Sequence, residues 1–397
     1  MKLIQGSRRG RQAIVVLVAA LLSGCSSLQK LNPLNWWDSA DSGPQPAALT
    51  PIQSTLAMKP VWRAGVGAAG NFLFSPAISD GTVFAAAADG TLAAFDAGTG
   101  AQKWRIQANR AGLSAGAAAG AGSVVVATVK GEVLAFDVDG KERWKAQASS
   151  EVLATPLVAD GLVLVRSNDN RIHAFGAADG KRRWVYQRTA PALVLRNFAG
   201  LAVDRGTIFA GFPGGKLVAL AAVNGSVRWE GTVAQPKGAT ELERIADLTG
   251  VPVISDRVAC AVAYQGRVAC FDVANGQPVW SRDVSSQTGM AADARYAYVS
   301  DDRSSILGLA LDTGSSLWKQ DRLLNRRISA PLSIGRAVIV ADYQGVLHAL
   351  AREDGSLVGR IATEGGWIAA APIRLQFAAD EGFLVQSRNG GLFAYSL

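Results

Sequence analysis

The chain has 397 residues, 49% of them hydrophobic and only 18% charged, with 40 Lys and Arg against 32 Asp and Glu. So little charge suits an extensive β core. Two His and three Cys leave little material for a metal centre.

The first 24 residues carry Lys2, Arg8, Arg9 and Arg11, then the apolar run Ala13–Leu22, then Ser23 and Gly24. A basic start, a short apolar core and small residues make a secretory signal. The run is too short to be a good transmembrane span. Leu22-Ser23-Gly24-Cys25 resembles the lipobox of bacterial lipoproteins. That implies an acylated Cys25 as the new N-terminus. Ser26, rather than Asp, implies sorting to the outer membrane, with the body facing the periplasm. Removing the signal lowers the net charge from +8 to +4, which no longer suggests nucleic acid. Residues 25–58 read as the acylated Cys and a flexible tether rich in Ser, Asn, Pro and Gly. Within it, Trp36-Trp37 suits the lipid headgroup level, or a loose contact with the body.

From residue 59 onward one pattern recurs: an apolar strand end, a turn with Gly, three residues, then Trp. It runs Phe95-Asp96…Gly100…Trp104, and again to Trp144, Trp184, Trp229, Trp280 and Trp318. Trp62 stands 42 residues before Trp104, and Gly359 stands where an eighth Trp is due. A period near 40 marks a stacked-repeat or propeller architecture. The Asx-Gly pairs give tight turns, and the alternating runs between them read as four short strands, A to D, per unit. Such sheets must stack on one another, with Ala and Gly leaving room for Trp. The seven Trp are therefore core residues.

Lys59–Val66 reads as an isolated strand D, whereas the C-terminal runs 371–375, 382–386 and 391–395 read as strands A, B and C without a D. Joining them completes a sheet and removes exposed edges. The expected fold is all-β, an eight-bladed propeller over residues 59–397, closed by its N- and C-terminal strands. Two insertions break the period, Arg188–Asn197 and Ala234–Gly250. Both join a strand D to the next strand A, so both emerge on one face, where insertions in repeat arrays often bind partners. In the second, Thr240 and Glu243 fit a capping box, with Leu242, Ile245 and Leu248 on one helical face and Gly250 ending the helix.

No nucleophile elbow, P-loop or dinucleotide fingerprint occurs. His173 and His348 share one strand-C phase of different blades, which is a repeat feature and not a metal pair. No catalytic residue, metal ligand or cofactor site is assigned. Cys260 and Cys270 nearly mirror each other across the Gln265-Gly266 turn. A cross-strand disulfide fits this, and so do two small buried thiols. The second is favoured, because Ala fills the Cys270 phase in other blades.

The Asp-x-x-Thr-Gly-x-x-x-Trp ending resembles the repeat of pyrroloquinoline-quinone dehydrogenases, eight-bladed propellers that bind quinone and calcium in the central channel. Their adjacent Cys pair is missing here, and no matching carboxylate set is assignable. The resemblance thus implies the scaffold, with a quinone-dependent dehydrogenase or its non-catalytic relic as the alternative. Lipobox, tether and propeller together are more similar to the BamB family of outer-membrane assembly lipoproteins. Leu193-Val194-Leu195-Arg196 looks like that family's Leu-x-Leu-Arg loop, and Arg244–Asp247 with Pro252 looks like its Asp-containing loop. This resemblance implies a non-enzymatic scaffold of the β-barrel assembly (BAM) complex. Leu193, Leu195, Arg196 and Asp247 would engage the POTRA domains of the subunit BamA, and unfolded outer-membrane proteins are further candidate partners. Where the family can carry a second acidic residue, this chain has Thr249.

Overall fold

The computed structural model describes residues 44–196, 198–378 and 380–397. The signal sequence, Cys25 and Trp36-Trp37 lie outside the described residues. Pro46–Leu397 forms one compact unit.

Among the described residues, thirty-two strands make eight four-stranded antiparallel sheets. Each sheet is one blade. In blade 1 the strands A to D are Ala77–Ser79, Thr82–Ala86, Thr91–Asp96 and Gln102–Gln107. Strands B and C are apolar and buried except at their ends, Thr82, Thr91 and Asp96, and strand D alternates outward. A stacked sheet buried on both faces and a half-exposed outer edge produce this contrast. Blade 8 takes strands A, B and C from Ile373–Gln376, Glu381–Gln386 and Gly391–Ser396. Its strand D is Lys59–Gly65, so the ring closes by joining the two terminal regions.

The Trp residues bind blade to blade. Each of the seven repeat Trp donates its Nε1 proton to a backbone carbonyl in the C–D turn of the next blade, at 2.7–2.9 Å. Trp62 reaches Ala97 and Trp318 reaches Arg352. Each indole also covers the Gly of that turn. A Cβ added to Gly100, whose φ is +72°, would lie 2.6 Å from Trp62. The pattern therefore couples a Trp in one blade to a Gly in the next, so the repeat is a property of the seam.

Gly359 breaks this pattern for a physical reason. The blade after it, blade 8, takes its strand D from residues 59–65 and so has no C–D turn to offer a carbonyl or a Gly. The space is filled from elsewhere: a Cβ on Gly359 would meet the Leu56 carbonyl oxygen at 2.7 Å and the Met58 side chain at 3.5 Å.

That filling corrects the expectation of a flexible tether reaching to residue 58. Residues 46–58 run along the outer wall of blade 7. The Thr55 and Leu56 amides both donate to the Val358 carbonyl at 2.9 Å, and the Ala47 amide donates to Leu324 at 2.8 Å. Leu49 and Ile52 pack on the cluster that holds Trp318 and Leu357, and Met58 is buried.

The preference for two free thiols is also corrected. Cys260 and Cys270 are direct register partners on strands B and C of blade 5, and they form a disulfide. Cys270 does sit opposite Trp280, the phase that Ala fills elsewhere. The bond arises because its partner strand carries the second Cys at the matching position.

Candidate functional site

Insertions on one face

Blade 3 ends with strand D at Arg182–Gln187, and blade 4 begins with strand A at Leu201–Asp204. The first insertion fills the gap. Arg188 fixes its start by pairing with Glu230 on strand D of blade 4, which Lys216 also contacts. The chain then turns outward. Leu193 is 38% exposed, Leu195 is half-buried and Arg196 is exposed. Arg196 forms an ion pair with Glu151 at 3.0 Å and lies over the Phe72 ring. Glu151 also accepts from Asn168, so one carboxylate ties the insertion to two neighbouring connections.

The second insertion is not a helix running to Gly250. The expected capping pair forms, with the Thr240 amide donating to Glu243 and the Glu243 amide to Thr240 Oγ1. It closes only a single turn. Leu248–Ser255 is already strand A of blade 5, and Gly250, with φ +69°, sits inside an irregularity of that strand. Ile245 and Leu248 are buried as the apolar spacing suggested, but Leu242 is 66% exposed. Leu242 therefore does not share one face with Ile245 and Leu248, and it is a further exposed apolar candidate on this rim. The mark of this in the sequence is its place between Glu241 and Glu243, two charged residues that favour solvent.

Asp247, expected as a partner contact, is only 1% exposed. Its Oδ2 accepts from the Leu195 amide at 2.6 Å and its Oδ1 from the Gly214 amide at 3.3 Å. It therefore holds the first insertion from beneath. Burial pushes its carboxyl above the usual range, against the pull of the two amides and of Arg166. Arg166 is itself buried, donates to the Ala199 carbonyl and lies over the Phe212 ring; burial pushes its pKa down to about 10. Thr249 is turned inward and donates to the Ser286 carbonyl. The structure thus brings Leu193, Leu195 and Arg196 together on one presented loop and puts Asp247 under it as a support.

Among the described residues no group of three or more His, Cys, Asp and Glu is placed to hold a metal ion. His173 contacts Ser167 of its own blade and Ser149 of the connection from blade 2, and His348 contacts Asp342 within blade 7. What the fold and this face define is an eight-bladed propeller carrying two insertions, linked by one buried carboxylate, on a single rim.

The family model described as "Outer membrane protein assembly factor BamB" matches residues 57–112 and 88–320. A protein of that name from Bordetella pertussis is 43% identical over 394 residues, covering 98% of each chain. The chain belongs to the BamB family of outer membrane protein assembly factors. Among solved structures, BamB from Moraxella catarrhalis superposes with a TM-score of 0.77 at 23% identity, covering 86% of this chain and all of that one. A quinohemoprotein alcohol dehydrogenase from Pseudomonas putida shares the fold, with a TM-score of 0.68 at 13% identity over 86% of this chain and 76% of its own. At such identities the likeness concerns the fold alone.

Proposed function

We propose that this chain is a non-enzymatic scaffold, anchored to the outer membrane through an acylated Cys25 and facing the periplasm. Its insertion face docks on the POTRA region of BamA within the β-barrel assembly complex. The observation that carries this reading is the Asp247 carboxylate gripping the Leu195 amide. A buried acid spent on one surface loop makes sense if the loop must hold a fixed shape for a partner. Leu193 and Leu195 supply apolar anchors, Arg196 offers a partner carboxylate the N–H groups that Glu151 leaves exposed, and Leu242 adds an apolar contact from the second insertion.

The test is co-purification of the full-length lipoprotein from detergent-solubilised outer membranes. Leu193→Glu, Leu195→Glu and Arg196→Glu are each expected to lower recovery of a POTRA-bearing barrel protein at least about tenfold. The thermal midpoint should stay near that of the parent chain. Full recovery with all three variants would overturn the assignment of this loop. Fractionation away from the outer membrane, with recovery intact, would instead overturn the anchor.

A further inference from the structure

The eighth seam of the ring is closed by a segment that the repeat does not contain. Strand D of blade 7 is Leu357–Ala362, with Gly359 at the Trp position. The slot left by the missing indole is lined by Gly359 and Ala349 and bordered by Val358. It is occupied by Leu56 and Met58. Further along the same wall three arginines hold the segment, two by its backbone and one by a side chain. Arg326 donates to the Ala47 carbonyl at 3.0 Å, Arg360 donates to the Thr50 carbonyl at 2.8 Å, and Arg322 bonds Thr50 Oγ1. Arg326 is itself 3% exposed and is fixed by buried Asp342 and by Gln344. These are interactions of a binding site, and its ligand is an extended segment with apolar side chains at Leu49, Ile52, Leu56 and Met58.

The direction of that segment matters. Lys59 opens strand D of blade 8 opposite Ser396, at the end of the ring where C–D turns lie. Ala47, by contrast, is bonded to Leu324 and Arg326. Those residues belong to the connection from Gln320 to Leu332, a D-to-A connection like the two insertions. The segment therefore crosses the wall from the turn end to the insertion end.

We propose that residues 46–58 are a mooring strap, bound in cis in the slot of the missing eighth Trp, which makes the chain leave the propeller on the face that carries Leu193 and Arg196. With the strap bound, the membrane tether starts from the insertion face. With it released, the tether would start from Lys59 at the opposite end and gain thirteen residues of slack, up to about 45 Å when extended. The effect on membrane geometry rests on the lipid anchor proposed above, whereas the slot and its occupant do not.

Two measurements separate these parts. In the purified full-length lipoprotein, the amides of Ala47, Thr55 and Leu56 should exchange with solvent deuterium on the order of a hundredfold more slowly than in a free segment. The double variant Leu49→Asp with Ile52→Asp alters only the strap. Gly359→Trp alters only the slot, because its Cβ meets the Leu56 carbonyl. Each should speed exchange at those amides at least about tenfold while leaving Val124–Val126 in blade 2 unchanged. Free-segment exchange in the parent chain, or rates unmoved by both variants, would overturn the strap. For the exit, Ala47→Cys with Leu324→Cys should form a disulfide in intact outer membranes and lose it when the strap pair is also changed. Absence of that cross-link in a membrane-bound parent overturns the mooring. Slow exchange in a protein that never reaches the membrane would spare the strap and overturn only the anchor.

Discussion

Two buried carboxylates each fasten an irregular segment to the regular ring, and they do so with different donors. Asp247 receives two backbone amides, from Leu195 and Gly214, with no direct ion pair. Asp342 receives Arg326 Nε at 2.7 Å and His348 Nε2 at 3.1 Å, together with the amides of Gln344 and Val346. Burial raises the carboxyl of Asp247 and is not overcome. Burial would also raise that of Asp342, but the hydrogen bonds from His348, Val346 and Arg326 hold it below the usual range. The number of charged or charge-assisted donors sets the sign. The insertion is thus fastened by two neutral amides, and the strap through an arginine whose counter-ion is fully buried.

The largest expected effect is on the strap side. Asp342→Ala would leave Arg326 buried without its counter-ion and remove the acceptor of His348. A loss of about 3–5 kcal/mol is expected, since one partner of a buried pair is removed. Denaturant unfolding measures it, and a loss below about 1 kcal/mol would show that Arg326 finds water or Gln344 instead. On the insertion side, Asp247→Ala leaves two amides unsatisfied, for an expected loss of about 1–3 kcal/mol. Partner recovery should fall in the same variant although Asp247 is not on the surface. If stability falls while partner binding is kept, the carboxylate supports the fold and not the loop shape.

The contrast also explains what could be read from the residues alone. The propeller was legible because every seam repeats a Trp and a turn Gly about 40 residues apart, and both are needed for one contact. The loop residues Leu193, Leu195 and Arg196 were legible as an apolar surface insertion. The inward direction of Asp247 was not, because its partners are backbone amides, which leave no mark in the side-chain pattern. Leu242, Ile245 and Leu248 fit one helical face, yet the same spacing serves a single turn followed by a strand. The disulfide turned on register, where one residue of slip separates facing from opposed side chains. The strap has a linker's composition, and its sign lay 300 residues away: a seam at Gly359 with no Trp must be filled by something else.

The smallest predicted effect is the sharpest test of the comparison, because the two regions should respond to acid with opposite sign. Asp247 has a raised carboxyl, so the folded loop holds a proton that the unfolded chain gives up. Its contribution therefore grows as pH falls through the raised value toward the ordinary one near 4. Asp342 has a depressed carboxyl, so its contribution is present above about pH 4 and is lost as pH falls through the depressed value. His348 adds to the second trend from a higher pH. Burial keeps it neutral, against the pull of Asp342 and with Arg360 and Arg326 nearby. Its Nε2 proton points to Asp342 and its Nδ1 faces Arg360 Nε at 3.4 Å. Below about pH 6.5 the unfolded chain takes up a proton that the folded blade refuses, and stability declines. Deuterium exchange at about pH 7 and about pH 5, corrected for the intrinsic rate, should show protection of residues 46–58 falling by a few-fold. Protection of residues 188–196 should hold or rise over the same interval. His348→Gln should flatten the first trend without touching the second. Parallel declines in both segments would mean that global acid sensitivity, and not the local groups Asp247 and His348, governs how this ring holds its irregular parts.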